Sequence, residues 1–376
     1  MDRTSTSEPP AWVEIDLRQF RRNWDAITRY RPHGVGIACV VKDDAYGHGA
    51  RPLAEIALGY GAEILVVAAV EEALKLRAAG IEAHILVLGE RTPDEYILCA
   101  NYNLAACVGS HAGLAELAKT VKSIGRAVPI HLKIDTGMSR YGFRWSEGDE
   151  LFRELRKTPE IVVEGIMSHF AMSDEVDKTF ARLQLSRFNE VVEKARAAGV
   201  HPKYRHICNS GGFLDLPEAH FNLVRVGILP LGVYPSKVCR RLEGIAPIMS
   251  VKSRIAAIKE LEAGDHVGYG MRFTAEKKMR SAVIPIGYGF GYPRVRNQGY
   301  VLIHGQRAPI IGGVSMDAMT VDVTDIIDAK QWDEVTLLGK NQQDEITIHD
   351  IAALRNSVSY DAMVSWSARL PRRYLQ

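Results

Sequence analysis

From Ile37 to about Ile228 the chain repeats one pattern, a short apolar, β-branched run followed by a longer stretch of helical periodicity. The runs are IACVV (37–41), ILVVAA (64–69), HILVLG (84–89), LAACVG (104–109), PIHLKI (129–134), IVVEGIMSH (161–169), KYRHICN (203–209) and NLVRVGI (222–228). Between them lie amphipathic segments such as EEALKLRAAG, AGLAELAKTV and LSRFNEVVEKARAAG. Strands alternating with helices predict parallel βαβ units. Eight strand candidates predict an α/β fold built as a closed (β/α)8 TIM barrel, although an open doubly wound sheet shows the same alternation.

After about Pro235 the texture changes to short strands set between turn residues: SRIAAIKEL, HVGYG, SAVIPIGYG, GYVLIHG, RAPIIGG, MTVDVTD and EVTLLG. That pattern predicts a C-terminal all-β domain. The expected division is a barrel domain over 1–238 and a β-domain over 239–376. The strand AWVEIDL (11–17), ahead of the helix LRQFRRNWDAITRY, is a candidate to join the β-domain. Repeats and low-complexity tracts are absent from the sequence.

Composition narrows the function. At 376 residues, 47% hydrophobic and 24% charged, the chain has the make-up of an ordinary globular protein with a large core. Lys+Arg 47 against Asp+Glu 45 leaves a formal charge of +2 with no long basic run, which argues against nucleic acid and against a polybasic membrane contact. No apolar stretch approaches the roughly 18 residues of a membrane span. A small-molecule substrate is expected. The opening MDRTSTSEPP has no apolar core and no cleavage site, so no secretory signal is read and a cytoplasmic location is expected. Cys39, Cys99, Cys107, Cys208 and Cys239 are odd in number and widely spaced, and read as reduced thiols instead of staples or metal ligands.

Lys42, in VVKDDAYGHG, directly follows the first apolar run. A lysine at the carboxyl end of a buried strand, before a glycine-bracketed loop, is well placed to hold pyridoxal phosphate as a Schiff base. On the local spacing alone a surface lysine opening a loop is the commoner reading, and companions elsewhere in the chain overturn it. Active sites of such barrels lie at the carboxyl ends of the strands. Lys42, Arg140, His169, Asn209 with Ser210, and Arg225 with Gly227 all fall at or just after such ends.

These motifs, in order, resemble the alanine racemase family: VEIDL, VVKDDAYGHG, HLKIDTGMSRYGF, GIMSHFAMSDE, HICNSGG, VRVGI, GYGMRF, IPIGYGFGY, GGVSMDAM and RLPRRY. The resemblance implies a pyridoxal 5'-phosphate enzyme, an isomerase that interconverts L-alanine and D-alanine and supplies D-alanine for peptidoglycan precursors. It implies that Lys42 anchors the cofactor and is the base on one face of the substrate α-carbon, while Tyr269 from a partner subunit is the base on the other. Racemisation needs a proton removed from one face and returned to the other, so a homodimer with shared sites is part of the expectation. Arg225 is implied to face the pyridine nitrogen, where a permanently protonated group cannot hand over a proton. That choice favours a racemase over related barrel decarboxylases, which carry an acid there.

By the same resemblance Tyr46, Ser210 and the amides of Gly227 and Ile228 bind the phosphate, with Asn209 beside them. His169 lies under the cofactor ring. Arg140 and the Met316 amide receive the substrate carboxylate, and Lys133 carries a carbamyl group that orients Arg140. Tyr288 and Asp317 lie near the substrate entrance. No metal is expected.

Several positions depart from the family pattern. Ala368, counted back from RLPRRY, occupies a place read as that of a tyrosine touching the phosphate, which would enlarge the substrate pocket. Asp43 stands for alanine, Ser139 for a glycine, Phe290 for an aspartate, Gly313 for an arginine and Leu231 for a tyrosine. These departures raise a rival reading, a racemase of serine or of a broader set of amino acids. A rival of another class is a non-catalytic pyridoxal-phosphate carrier, a role held by a related lone barrel that lacks the β-domain. A metal-dependent aldolase of related fold is weak, because the stretch after Asp328 offers only His349 as a histidine and no cysteine.

Overall fold

All eight apolar runs become strands, because each is long enough to cross a core yet bounded by turn residues. In the computed structural model, which describes residues 9–376, they are β1 Gly36–Val40, β2 Ala62–Val67, β3 His84–Val87, β4 Ala105–Val108, β5 Pro129–Asp135, β6 Val162–Met167, β7 Tyr204–His206 and β8 Leu223–Val226. The first eight residues, MDRTSTSE, in which no secretory signal was read, lie outside the described residues.

Neighbouring strands pair in parallel in the order β8-β1-β2-β3-β4-β5-β6-β7. The Arg225 amide donates to the Cys208 carbonyl at 3.1 Å across the remaining gap, so the eight strands form a nearly closed barrel instead of an open sheet. Side chains alternate along each strand, and one set fills the interior: Ala38, Ile64, Val66, Leu86, Ala105, Cys107, Met167, Tyr204 and Leu223. Each fully buried Leu, Ile or Val contributes about 1.5–3 kcal/mol. The intervening segments are helices, among them Val70–Ala78, His111–Ile124 and Thr179–Ala197. His111–Ile124 starts where the Ser110 hydroxyl accepts from the Gly113 amide and stops at Gly125, whose φ of 65° ends the right-handed path.

The chain divides into two units. One comprises Phe20–Ala45 and Gly49–Ala246; the other comprises the described residues up to Gln19, Tyr46–His48 and Pro247–Gln376. In the second unit, strand Ala11–Asp16 pairs antiparallel with Met249–Arg254 and parallel with Arg372–Leu375. The remaining β-runs form hairpins and ladders of the same architecture, such as Tyr300–Ile303 with Gln306–Ile311. The all-β description needs one addition, since helices Ile348–Leu354 and Ser359–Val364 precede the last strand. All five cysteines are buried free thiols.

One local conformation was not legible in the sequence. The glycine-bracketed loop after Lys42 is a tight helical turn, Lys42–Gly47, with φ of 52–54° at Asp43, Asp44, Ala45 and Tyr46 and 80° at Gly47. L-residues pay about 1–2 kcal/mol each for the left-handed region. Local bonds hold the turn: Ala45 N to Val41 O at 2.9 Å, Gly49 N to Asp44 O at 2.8 Å, and the Asp43 amide to the Glu72 carboxylate. The Asp44 carboxylate also accepts from the Ala50 amide at 2.7 Å. Strain of this kind is tolerated where the surroundings over-determine the backbone.

Candidate active site

In the barrel unit the site grows from residues at the carboxyl ends of the strands. Lys42 opens the turn that follows β1, its side chain 36% exposed and 3.8 Å from the Asp43 carboxylate. Arg225 projects from β8 and is 3% exposed. Its NH1 donates to His206 Nδ1 at 2.7 Å, and its NH2 donates to the Ser168 carbonyl at 2.8 Å and meets His169 Nδ1 at 3.0 Å. Burial lowers Arg225 to about 10, which leaves the guanidinium charged at neutral pH. Burial, then the charges of Arg225, Lys133, Arg140 and Lys42, push His169 well below the ordinary histidine range. A neutral imidazole therefore stands among four basic side chains.

Lys133, on β5, is 3% exposed and donates to the Ile134 carbonyl at 2.9 Å. Burial is the main reason that it is lowered to about 8. Arg140 follows the same strand on a turn where Ser139 has φ 56° and its amide bonds the Asp135 carboxylate at 3.0 Å. Serine thus occupies a backbone conformation that glycine adopts without strain.

The anion-binding candidates also cluster. Asn209 caps helix Ser210–Asp215, its carbonyl oxygen accepting from the Gly212 amide at 2.9 Å and from Ser173 Oγ at 2.7 Å. With both bonds made inside the protein, Asn209 orients the turn that carries Ser210. The Gly227 amide donates to Ser210 Oγ at 3.2 Å. The next amide, that of Ile228 (2% exposed), has no protein acceptor among the described residues, as expected of a donor reserved for a ligand anion.

In the second unit Tyr269 sits between Gly268 (φ 74°) and Gly270 (φ 71°) and is 81% exposed. A cavity of about 620 Å³ is lined by Tyr269, Tyr288, Arg294, Val295, Arg296 and the segment from Gly313 to Asp317. Two bonds lock its walls together, Tyr288 N to Ser315 O at 3.1 Å and Gly289 N to Met316 O at 2.8 Å. Asp317 pairs with Arg369 at 3.3 Å, and the same guanidinium lies 4.3 Å from the Phe290 ring centre. Tyr46 is 7% exposed and belongs to this unit, where its ring centre is 6.4 Å from that of Tyr360. The Arg372 side chain donates to the Gly47 carbonyl at 3.1 Å.

Two family descriptions match the chain: "Alanine racemase, N-terminal domain" over residues 15–235 and "Alanine racemase, C-terminal domain" over residues 248–374. The chain belongs to the alanine racemase family. An alanine racemase of Symbiobacterium thermophilum is 40% identical over 368 residues, covering 97% of this chain and 97% of that one. One from Clostridium tetani is 40% identical over 372 residues, covering 98% and 96%. Among solved structures, the alanine racemase of Clostridium difficile 630 superposes with a TM-score of 0.93 at 33% identity, covering 98% of this chain and 96% of that one. The Bacillus anthracis enzyme with bound L-Ala-P gives 0.93 at 32% identity, covering 99% and 96%.

As an alanine racemase family member the protein is an isomerase, and the barrel reading of the first half and the β reading of the second describe the family's architecture. Of the expected site residues, Lys42, Lys133, Arg140, His169, Asn209, Ser210, Arg225, Gly227 and Ile228 lie in the barrel unit, and Tyr46, Tyr269, Tyr288, Met316 and Asp317 in the other. The ring beside Tyr46 comes from Tyr360, which the sequence reading passed over, whereas Ala368 is exposed. Arg294 and Arg296 were also passed over. Arg294 stacks on Tyr288 at 5.5 Å, and Arg296 packs over Gly313, one of the positions read as departing from the family pattern. His206 and His131 were missed as well, although the alternation within their strands puts His131 on the same face as Lys133.

Proposed function

We propose that this chain interconverts L-alanine and D-alanine with pyridoxal phosphate as its cofactor, acting as a cytoplasmic homodimer that supplies D-alanine for peptidoglycan precursors. The basic side chains of Arg225, Arg140 and Lys42 around His169 carry the reading: such a set attracts an anionic cofactor and a substrate carboxylate. The donor set fits that group. Ser210 Oγ and the Gly227 and Ile228 amides suit a phosphate, Lys42 supplies a primary amine for covalent anchorage, and Arg225 offers only hydrogen-bond donors.

When bound, pyridoxal phosphate withdraws electrons from the substrate α-carbon and acidifies its hydrogen. Lys42 Nζ moves the proton on one face of that carbon, and the phenol oxygen of Tyr269 from the partner copy moves it on the other. Arg225 stays protonated and so transfers no proton at the ring nitrogen. Arg140 holds the carboxylate together with the Met316 amide of the partner copy, which lines the same cavity as Tyr269 and has no protein acceptor among the described residues.

A carbamyl group on Lys133 would give Arg140 an anionic partner in place of a buried cation. It forms when the neutral amine nitrogen attacks carbon dioxide: the N–C bond forms as one C=O π pair moves onto oxygen, and a nitrogen-bound proton leaves to solvent. Shared sites are supported by exposure: Tyr269 at 81% and Met316 at 53% line one cavity, and Met271 at 64% follows Tyr269 closely in the chain, exposed side chains of the kind a second copy covers.

The deciding experiment is chiral analysis of L-alanine and L-serine incubated with the cofactor-loaded protein, with Lys42→Ala as the control. Alanine turned over in preference to serine, with the control inactive, supports the proposal. Serine turned over equally or faster moves the assignment to a broader racemase, and no turnover of either rejects it.

A further inference from the structure

The barrel interior holds a chain of polar groups that runs inward from Arg225 and that, beyond Arg225 itself, the reaction above does not use. Arg225 NH1 donates to His206 Nδ1 at 2.7 Å, His206 Nε2 lies 2.7 Å from His131 Nδ1, and His131 Nε2 lies 3.4 Å from Glu164 Oε2. The same carboxylate oxygen meets His84 Nε2 at 2.7 Å. Both central histidines are 0% exposed.

The direction of every link follows from one end. A guanidinium only donates, so His206 Nδ1 must accept and its proton sits on Nε2. That proton is given to His131 Nδ1, so His131 carries its own on Nε2, aimed at Glu164. Burial lowers both histidines, which favours the singly protonated rings this scheme requires. Partial burial pushes the Glu164 carboxyl up, but the hydrogen bonds from His131 and His84 outweigh it and hold the group far below the carboxylate range. The chain ends on an anion.

Backbone features build the arrangement. β5 and β6 pair Ile130 with Val163 and His131 with Gly165, so Glu164 is the extra residue of a bulge, a device that re-aims a side chain. A Cβ at Gly165 would fall 2.7 Å from His131 Cε1 and 2.8 Å from its Cγ, so glycine makes room for the imidazole.

His84, His131 and Glu164 also bring three ligand atoms within 4.8 Å of one another, as a metal site would. Yet His131 Nε2 carries the proton in this chain, and freeing its lone pair would turn both histidines around and set an N–H against Arg225.

We propose that Glu164 is a positioning residue for Arg225, acting through His131 and His206 to keep a lone pair of His206 turned toward the guanidinium. Removing the carboxylate lets His131 put its proton on Nδ1, facing His206 Nε2. His206 must then protonate Nδ1, and two donors meet at Arg225. The catalytic consequence rests on the reading of Arg225 as the residue facing the cofactor ring nitrogen; the tautomer pattern does not.

The test is 15N-histidine NMR of the wild-type holoenzyme and of Glu164→Met and Glu164→Gln, with the cofactor absorbance spectrum and alanine kinetics of each. The wild type should show the Nε2–H tautomer at both His131 and His206. Glu164→Met should change both signals, shift the cofactor absorbance and lower kcat about 10-fold, the size usual for outer partners that orient a site residue, with KM little changed. Glu164→Gln keeps an acceptor and should restore tautomers and kcat. An Nδ1–H tautomer at His206 in the wild type overturns the proposal whether or not the variants fold. So do methionine-variant signals, spectrum and kcat that match the wild type. A wild type that binds no cofactor yet shows the tautomers would instead count against the proposed function.

Discussion

Lys133→Met tests the buried amine. The side chain is 3% exposed, and burial lowers it from the ordinary lysine value of 10.5 to about 8. Each tenfold change in proton affinity is about 1.4 kcal/mol, so an unmodified, protonated Lys133 costs the fold up to about 3 kcal/mol at pH 7. Between pH 8 and 10.5 the unfolded chain binds more protons than the folded one, so unfolding free energy rises with pH across that window and the penalty is gone above it. Methionine is similar in length and uncharged, and the Ile134 carbonyl keeps its bond from Ser168 Oγ at 2.8 Å. In bicarbonate-free buffer at pH 7, Lys133→Met should therefore be more stable than wild type by up to about 3 kcal/mol. Added bicarbonate should stabilise wild type, narrow or reverse the gap, and produce a carbamate signal in 13C NMR, while the variant stays indifferent. Urea denaturation with and without bicarbonate measures this. A variant less stable than wild type without bicarbonate, together with a wild type insensitive both to bicarbonate and to pH between 8 and 10.5, would refute the reasoning.

Tyr269→Phe should keep the cofactor absorbance and lower kcat by about 10²-fold or more, as expected for loss of a positioned base. Mixed with Lys42→Ala and re-equilibrated, it should regain about a quarter of wild-type activity, because each heterodimer restores one site; no regain would mean that the tyrosine serves its own chain. Gly287→Ala should destabilise by about 1–3 kcal/mol and raise the KM for alanine, since its Cβ would collide with the Ser315 carbonyl and fall 2.7 Å from the Met316 oxygen. Thermal melts and kinetics read both, and an unchanged KM would separate Met316 from carboxylate binding.

The strands and helices of the barrel were legible because periodicity is a local property: an apolar run such as IACVV or HILVLG has no stable place except a buried strand. Lys42 at a strand end was legible for the same reason. The left-handed turn after it was not, because AYGHG reads as an ordinary glycine loop, and the bonds of the Asp43 amide to Glu72 and of the Ala45 amide to the Val41 carbonyl reach beyond that string.

Residue order along the chain thus determined the alternating elements, their number and the types of side chain delivered to each strand end. Tertiary structure decided which of them meet. Lys42, His169 and Arg225 are far apart in sequence and become neighbours because parallel pairing nearly closes the barrel. The bulge that turns Glu164 toward His131, the space left by Gly165 and the pairing of Tyr46 with Tyr360 all depend on backbone placement across distant segments. Local pattern carries periodicity and propensity, whereas register, ring orientation and proton direction follow from contacts that exist only once the chain has folded.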